Sequence, residues 1–237
     1  EAKHEALLRL QRQKDEMAAL LAHDLRSPAS GIMLSCKAQL RKPQLTASDR
    51  RYWSNILAGA EAISRMASNL IDVARGEESG LQANKHAFDL NAMLEETVEI
   101  MSSLALGREQ RLELQTAPAG TTLTGDRELL RRVLQNLLDN AFRFHSGEAP
   151  VRLEARRLDA AIELRVADAG PGIPEAKRDT VFDKYARLGP SRAGEASAGH
   201  GLGLTFCRLA AECHGGSIGI EPNQPRGSVF VLRLPVH

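Results

Sequence analysis

The stretch Val166-Ala167-Asp168-Ala169-Gly170-Pro171-Gly172-Ile173-Pro174 takes a strand pattern straight into an acid, then into glycine and proline. A carboxylate at a strand end can accept a hydrogen bond from an exocyclic amine, and flanking glycines let a flat ring approach the backbone. An ordinary turn is the plainer alternative, because G-x-G alone is a weak signal. The surroundings decide between them. Ile162/Leu164/Val166, Val151/Leu153/Ala155 and Phe230/Leu232/Leu234 alternate with polar residues as half-buried strands, and Leu112 and Leu114 flank Glu113 in a shorter one. Asp126 to Phe144 reads as a helix with Leu130, Val133, Leu134, Leu137, Leu138 and Ala141 on one broad face. Asp89 to Leu104 has helical spacing, with Asp89 as N-cap. Helices covering one face of a mixed or antiparallel sheet is the simplest architecture for this part.

The N-terminal part differs. Residues 1 to about 76 hold only two aromatics, Tyr52 and Trp53, and read as helix throughout. Leu7, Leu10, Met17 and Leu21 fall on a/d heptad positions, with Lys14 the polar exception. Ile56, Ile63 and Leu70, with Met66 and Val73, form a second run. Between the runs, Lys42 to Asp49 carries Pro43 and cap-type residues that stop one helix and start the next. One hairpin offers two thin apolar seams, so pairing with a second copy into a four-helix bundle is expected, packing on the neighbouring domain being the alternative. Ala74 to Gly80 is polar with two glycines and reads as a linker. The expected domains are therefore 1–76 and 77–237, an α+β chain in which a dimeric helical bundle precedes an α/β two-layer sandwich.

Three further stretches carry chemistry. In Leu21-Ala22-His23-Asp24-Leu25-Arg26-Ser27-Pro28, Leu21 at position a puts His23 at c, facing solvent. An outward imidazole is a poor core residue and a good nucleophile, and Asp24 can orient it or take its proton. Pro28 removes the bond to the Asp24 carbonyl and is expected to bend the helix there. In Asn136-Leu137-Leu138-Asp139-Asn140-Ala141-Phe142-Arg143, Asn136 and Asn140 share one helix face, with Arg143 a turn further on. Asparagine is a mediocre helix former, and oxygen ligands for Mg²⁺ on a triphosphate, with an Arg nearby, would explain two of them. Gly199-His200-Gly201-Leu202-Gly203-Leu204 stands directly ahead of an apolar helix through Cys213. Glycines there present free N–H groups to an anion, and the small polar run Ser191 to Ala198 before them suits a lid.

In their order and spacing these stretches resemble the transmitter core of bacterial sensor histidine kinases. His23 to Pro28 is similar to the H box, Asn136 to Asn140 and onward to the N box, Asp168 to Gly172 to the G1 box, and Gly199 to Leu204 to the G2 box. Val181-Phe182-Asp183-Lys184-Tyr185 resembles the F box. The resemblance implies a dimerisation and histidine-phosphotransfer hairpin, then a Bergerat-type ATP-binding domain. It makes His23 the phosphoacceptor, Asp24 the acidic base, and Asn140 the Mg²⁺ ligand, with Asn136 and Arg143 beside the phosphates. Asp168 becomes the adenine-binding carboxylate, and Gly170, Gly172, Gly199, Gly201, Gly203 and Leu204 the nucleotide contacts. It further implies ATP and Mg²⁺ as cofactors, a homodimer, and transfer to an aspartate on a response-regulator receiver domain. Four positions depart from the pattern: Asp24 for Glu, Ser27 for Thr or Asn, Tyr185 for Phe, and His200 for a small hydroxyl residue. Ser27 bears on phosphatase activity, which its unbranched side chain is expected to leave weak.

Composition excludes other classes. The chain of 237 residues, 43% hydrophobic and 26% charged, has room for one or two packed domains. Its 31 Lys+Arg against 30 Asp+Glu, net +1, argue against a nucleic-acid binder. Three cysteines form no CxxC pair, and no G-x-x-x-x-G-K-[ST] occurs. A conformational ATPase of the same superfamily would share Asn140, Asp168 and the glycines but would want an acid at Asn136 to activate water. A nucleotide-binding scaffold without turnover would not need His23. No apolar run approaches the roughly 18–20 residues that cross a bilayer. The first residue is Glu and helix begins at once, so the expectation is a cytoplasmic piece of a longer protein with a sensor region upstream.

Overall fold

Pro43 and Thr46 separate the first two elements. The computed structural model describes residues 2–107, 110–186 and 201–236, and within the first helix the side chains before residue 17 lie outside it. That helix, α1, spans Ala2–Leu40 and carries Pro28 in its interior without ending. The second, α2, spans Ala47–Ser79 behind Thr46, whose hydroxyl accepts the Asp49 N–H at 3.1 Å and donates to its carboxylate. Two findings bear on this hairpin. Small residues seven apart line the seam between its helices, Ala22, Ala29 and Cys36 on α1 with Ala60, Ala67 and Ala74 on α2, and Val73 is buried beside them. The heptad residues Met17 and Leu21 are 65% and 53% exposed, as pairing with a second copy requires. Small side chains let two helices approach closely and leave the larger ones facing outward. Leu7, Leu10 and Lys14 fall among the side chains outside the description. Secondly, the stretch expected as a linker is helical through Ser79, ending where Gly80 adopts a φ of 72°. Glu is a good helix former, so a polar stretch need not break a helix. The two compact units accordingly divide between Leu81 and Gln82, later than 76/77.

In the second unit a five-stranded sheet has the order β2-β4-β5-β7-β6: β2 (Leu112–Gln115), β4 (Val151–Arg157), β5 (Ala161–Ala167), β6 (Ser217–Pro222) and β7 (Ser228–Pro235). β2 and β4 are parallel, the other neighbours antiparallel. A separate pair joins β1 (His86–Asp89) to β3 (Thr122–Gly125). Three helices, α3 (Leu90–Gly107), α4 (Arg127–Phe144) and α5 (Gly203–Cys213), pack with the sheet. Register lines up Leu153, Val166 and Phe230, and beside them Ala155, Leu164 and Leu232, so the alternating residues make one continuous apolar face. β7 is less half-buried than its alternation suggests. Val229 and Val231 join Ala167 in a small apolar cluster, also buried. On the face of Val231, Glu163 binds Arg165 and Arg233, and Glu221 binds the same two arginines.

Caps set the helix starts. Asp89 Oδ1 accepts the Ala92 N–H, and Asp126 Oδ1 accepts those of Glu128 and Leu129. Buried His214 ties the end of α5 to the start of α4: Nδ1 lies 2.7 Å from the Ala210 carbonyl, and Nε2 accepts the Asp126 N–H at 2.8 Å. Both nitrogens are occupied only if the ring is neutral, and burial, with nearby Lys85, holds its pKa below 6.5 against the opposing pull of Asp126. The adjacent Cys213 thiol, 3.4 Å from Nδ1, is pushed up to about 11 by burial and stays protonated beside it. For His214 the unfolded chain therefore binds more protons than the fold as pH falls below 6.5, and stability falls with it. His214→Gln, whose carboxamide oxygen can replace Nε2 as acceptor, is expected to flatten that acid slope in thermal unfolding. An unchanged slope would place the effect elsewhere.

Candidate functional site

Among the described residues of the hairpin, His23 and Asp24 stand together on the outer face of α1. On α1, His23 and Asp24 are both 79% exposed, with Nδ1 3.5 Å from the Asp24 carboxylate. Helical phase explains this: Ala22 and Ala29 face α2, which turns His23 away from the seam. With Nδ1 beside the acid, Nε2 is the nitrogen open to attack. Ser27, one turn on, is also exposed. Arg26 reaches across the hairpin to Ser68 Oγ at 3.1 Å.

The second unit holds a pocket of backbone and carboxylate. Asp168, at the end of β5, is 5% exposed, and its Oδ1 accepts the Gly170 N–H at 2.7 Å. The turn engages the carboxylate through Oδ1. Burial pushes the carboxyl above the ordinary aspartate range, while the backbones of Gly170 and Ser228 pull it down. Gly170 is required, because a Cβ there would meet the Phe144 carbonyl at 2.5 Å. Gly227, at a φ of 118°, is required as well, because a Cβ would collide with the Asp168 carbonyl. Gly172 stacks against Gly227.

α4 brings its two asparagines to the start of α5. A Cβ on Gly203 would lie 3.7 Å from Asn136 Cγ, so the first turn of α5 runs beside that side chain. Asn136 also lies beside the buried Cys207 thiol, which burial holds protonated. Asn140 follows one turn on, half-buried. Arg143, assigned to the phosphates by resemblance, pairs with Asp139 at 3.0 Å. At the head of α5 no side chain among the described residues caps the N-terminus, whose first N–H groups have no partner within the helix and suit an anion. Gly201 accepts from Thr205 Oγ1 and from the Tyr185 N–H, each at 3.2 Å, and Leu204 is half-exposed. Gly199, His200 and the expected lid at 191–198 lie outside the described residues.

Buried acceptor, glycine cradle and uncapped helix start fit a nucleotide. Mg²⁺ keeps several waters and binds through few protein ligands and phosphate oxygens. One asparagine oxygen fits that, and among the described residues no cluster of three or more His, Cys, Asp or Glu competes for a metal. Not read from the sequence were His145, which closes α4, Asn223 and Arg226, which reach the Asp168 turn, and buried Ser228.

Residues 13–79 match the family model of the His Kinase A (phospho-acceptor) domain, and residues 125–237 that of the histidine kinase-, DNA gyrase B- and HSP90-like ATPases. The chain belongs to the histidine kinases. As a histidine kinase it is 33% identical over 233 residues to the adaptive-response sensory kinase SasA of Thermosynechococcus vestitus, covering 94% of this chain and 60% of that protein. It is 29% identical over 232 residues to the aerobic respiration control sensor protein ArcB of Escherichia coli, covering 97% and 30%. The kinase fold recurs in full-length ShkA in complex with AMPPNP, with a TM-score of 0.67, 23% identity and coverage of 94% and 46%. The mycobacterial sensor histidine kinase MprB matches with a TM-score of 0.54, 26% identity and coverage of 65% and 98%. This histidine kinase thus spans 60% of the SasA length.

Proposed function

We propose that the chain is the ATP-dependent protein-histidine kinase core of a two-component system, phosphorylated on His23 and passing the group to an aspartate on a response-regulator receiver domain. The observation that carries the reading is the outward His23 with Asp24 at Nδ1, in a chain whose second unit has the nucleotide-binding fold. Bound ATP supplies the γ-phosphoryl group, and Mg²⁺ on its oxygens neutralises charge. His23 Nε2 forms the new N–P bond as the bond to the departing ADP breaks. Asp24 holds the Nδ1 proton and stabilises the positive charge that develops on the ring. Asp168 Oδ2 accepts from the adenine amine, Asn140 contributes a Mg²⁺ ligand, and Asn136 with the first turn of α5 borders the phosphates. Asn136 cannot serve as a base for water, which disfavours simple ATP hydrolysis. The test is incubation with γ-labelled ATP and Mg²⁺: acid-labile, alkali-stable label supports the reading, and free phosphate alone would overturn it.

The working form we propose is a homodimer, with a sensor region upstream in a longer cytoplasmic or membrane-attached parent. No helix among the described residues is long and apolar enough to cross a membrane. Met17, Leu21, Leu25, Ile32 and Ile63 are exposed on the hairpin while alanines fill its seam; such a face calls for a partner. Ile63→Glu with Leu70→Glu is expected to yield monomers in light scattering, because the charges would be buried in the bundle. A monomeric wild type at high concentration would refute the bundle.

A further inference from the structure

The turn that carries Asp168 is held from outside at each backbone polar group of Asp168 and Ala169. The Asp168 N–H donates to the Ser228 carbonyl at 2.9 Å, and its own carbonyl accepts from Asn223 Nδ2 at 2.8 Å. The Ala169 N–H donates to His145 Nδ1 at 3.2 Å, and the Ala169 carbonyl accepts from Arg226 Nε at 3.1 Å and Ser146 Oγ at 3.3 Å. Arg226 also bonds Ser146, joining the β6–β7 hairpin to the end of α4.

His145 is the informative member. It caps α4 through its N–H to the Ala141 carbonyl at 2.8 Å and is 8% exposed. Accepting at Nδ1 fixes the tautomer with the proton on Nε2, and that buried nitrogen has no partner among the described residues. An unpartnered buried donor is unfavourable. Helix capping by the backbone would survive many other side chains, so the ring is accounted for by what Nδ1 does for Ala169. A glycine-rich turn left untied would have to order itself when a ligand arrives, and that ordering weakens binding.

We propose that His145 and Asn223 are positioning residues for the nucleotide: from α4 and from the β6–β7 hairpin they lock the backbone around Asp168, so that Oδ2 is already aimed at the adenine amine. The inference rests on Asp168 being the adenine contact. Asn223 ties the carbonyl of the acid itself, and His145 the amide that follows. Neither touches the nucleotide in this role.

The whole chain tests this through its affinity for a fluorescent ATP analogue and through autophosphorylation kinetics. His145→Phe fills the site without an acceptor, whereas His145→Asn sets a carboxamide oxygen where Nδ1 stood. His145→Phe and Asn223→Ala are each expected to weaken nucleotide binding about fivefold, one lost hydrogen bond's worth. The change should fall on KM for ATP rather than kcat, and His145→Asn should recover most of the affinity. Should His145→Phe not fold, Asn223→Ala decides. Wild-type affinity in the lost-bond variants, with Asp168→Asn weakened, overturns the proposal, as does an equal loss in His145→Phe and His145→Asn. If Asp168→Asn also binds normally, the adenine reading fails instead.

Discussion

His23→Ala is expected to reduce acid-labile label to background while the chain keeps wild-type affinity for nucleotide. The histidine side chain is 79% exposed on α1, and its nearest charged group is Asp24, its sequence neighbour. Substitution at so exposed a site changes stability by no more than about 0.5 kcal/mol, and alanine is the best helix former. Loss of labelling would therefore not be loss of fold, which helical circular dichroism checks. The residues proposed to bind ATP all belong to the other compact unit, beyond Leu81, so the proposed acceptor can be deleted without altering them. Label persisting in His23→Ala would move the acceptor elsewhere and remove the central assignment. Loss of nucleotide affinity with the label would show instead that the variant is damaged.

Period was legible and partnership was not. The 3.6-residue face from Leu130 to Ala141 and the alternation in Ile162/Leu164/Val166 became α4 and β5, because each segment buries a full apolar stripe. β1, β3 and β6 went unread. The first two have four residues each, too few to show a period, and exist by pairing with each other. In the hairpin the heptad rule points to large side chains, whereas the close seam selects Ala22, Ala29, Ala60 and Ala67. Those alanines do repeat every seven residues, a signal that a search for leucine passes over. The placement of His23, Asn136, Asn140 and Asp168 on their elements is legible from local spacing, and their proposed roles from the family resemblance. His145, Asn223 and Arg226 are not, because each acts on the Asp168 turn from far along the chain. Asn223 lies 55 residues from Asp168 in sequence and 2.8 Å from its carbonyl.

Asp168→Asn is expected to weaken ATP binding on the order of 100-fold, about 2.7 kcal/mol, as for a hydrogen bond to a charged acceptor replaced by an opposed donor. The amide cannot rotate out of the conflict. Oδ1 must accept the Gly170 N–H at 2.7 Å, so the asparagine oxygen is drawn to that side and its NH₂ faces the adenine amine. Turning it over would set the NH₂ against Gly170 instead. Stability should move the other way. Burial raises the Asp168 carboxyl above 3.8, so the fold binds a proton more tightly than the unfolded chain, and ionisation destabilises it as pH rises through that window. At neutral pH the uncharged asparagine escapes this, and the variant is expected to unfold no lower than wild type while binding ATP poorly. In the wild type the same raised value should weaken ATP binding at a higher pH than an ordinary aspartate would, as protonation fills the acceptor. That acid limb should vanish from the residual affinity of Asp168→Asn. Titrating a fluorescent ATP analogue against both proteins across the acid range, beside their melting curves, reads all three effects. Normal affinity in the variant would mean that adenine is held elsewhere, and a lowered melting temperature would mean that the carboxylate is a structural anion after all.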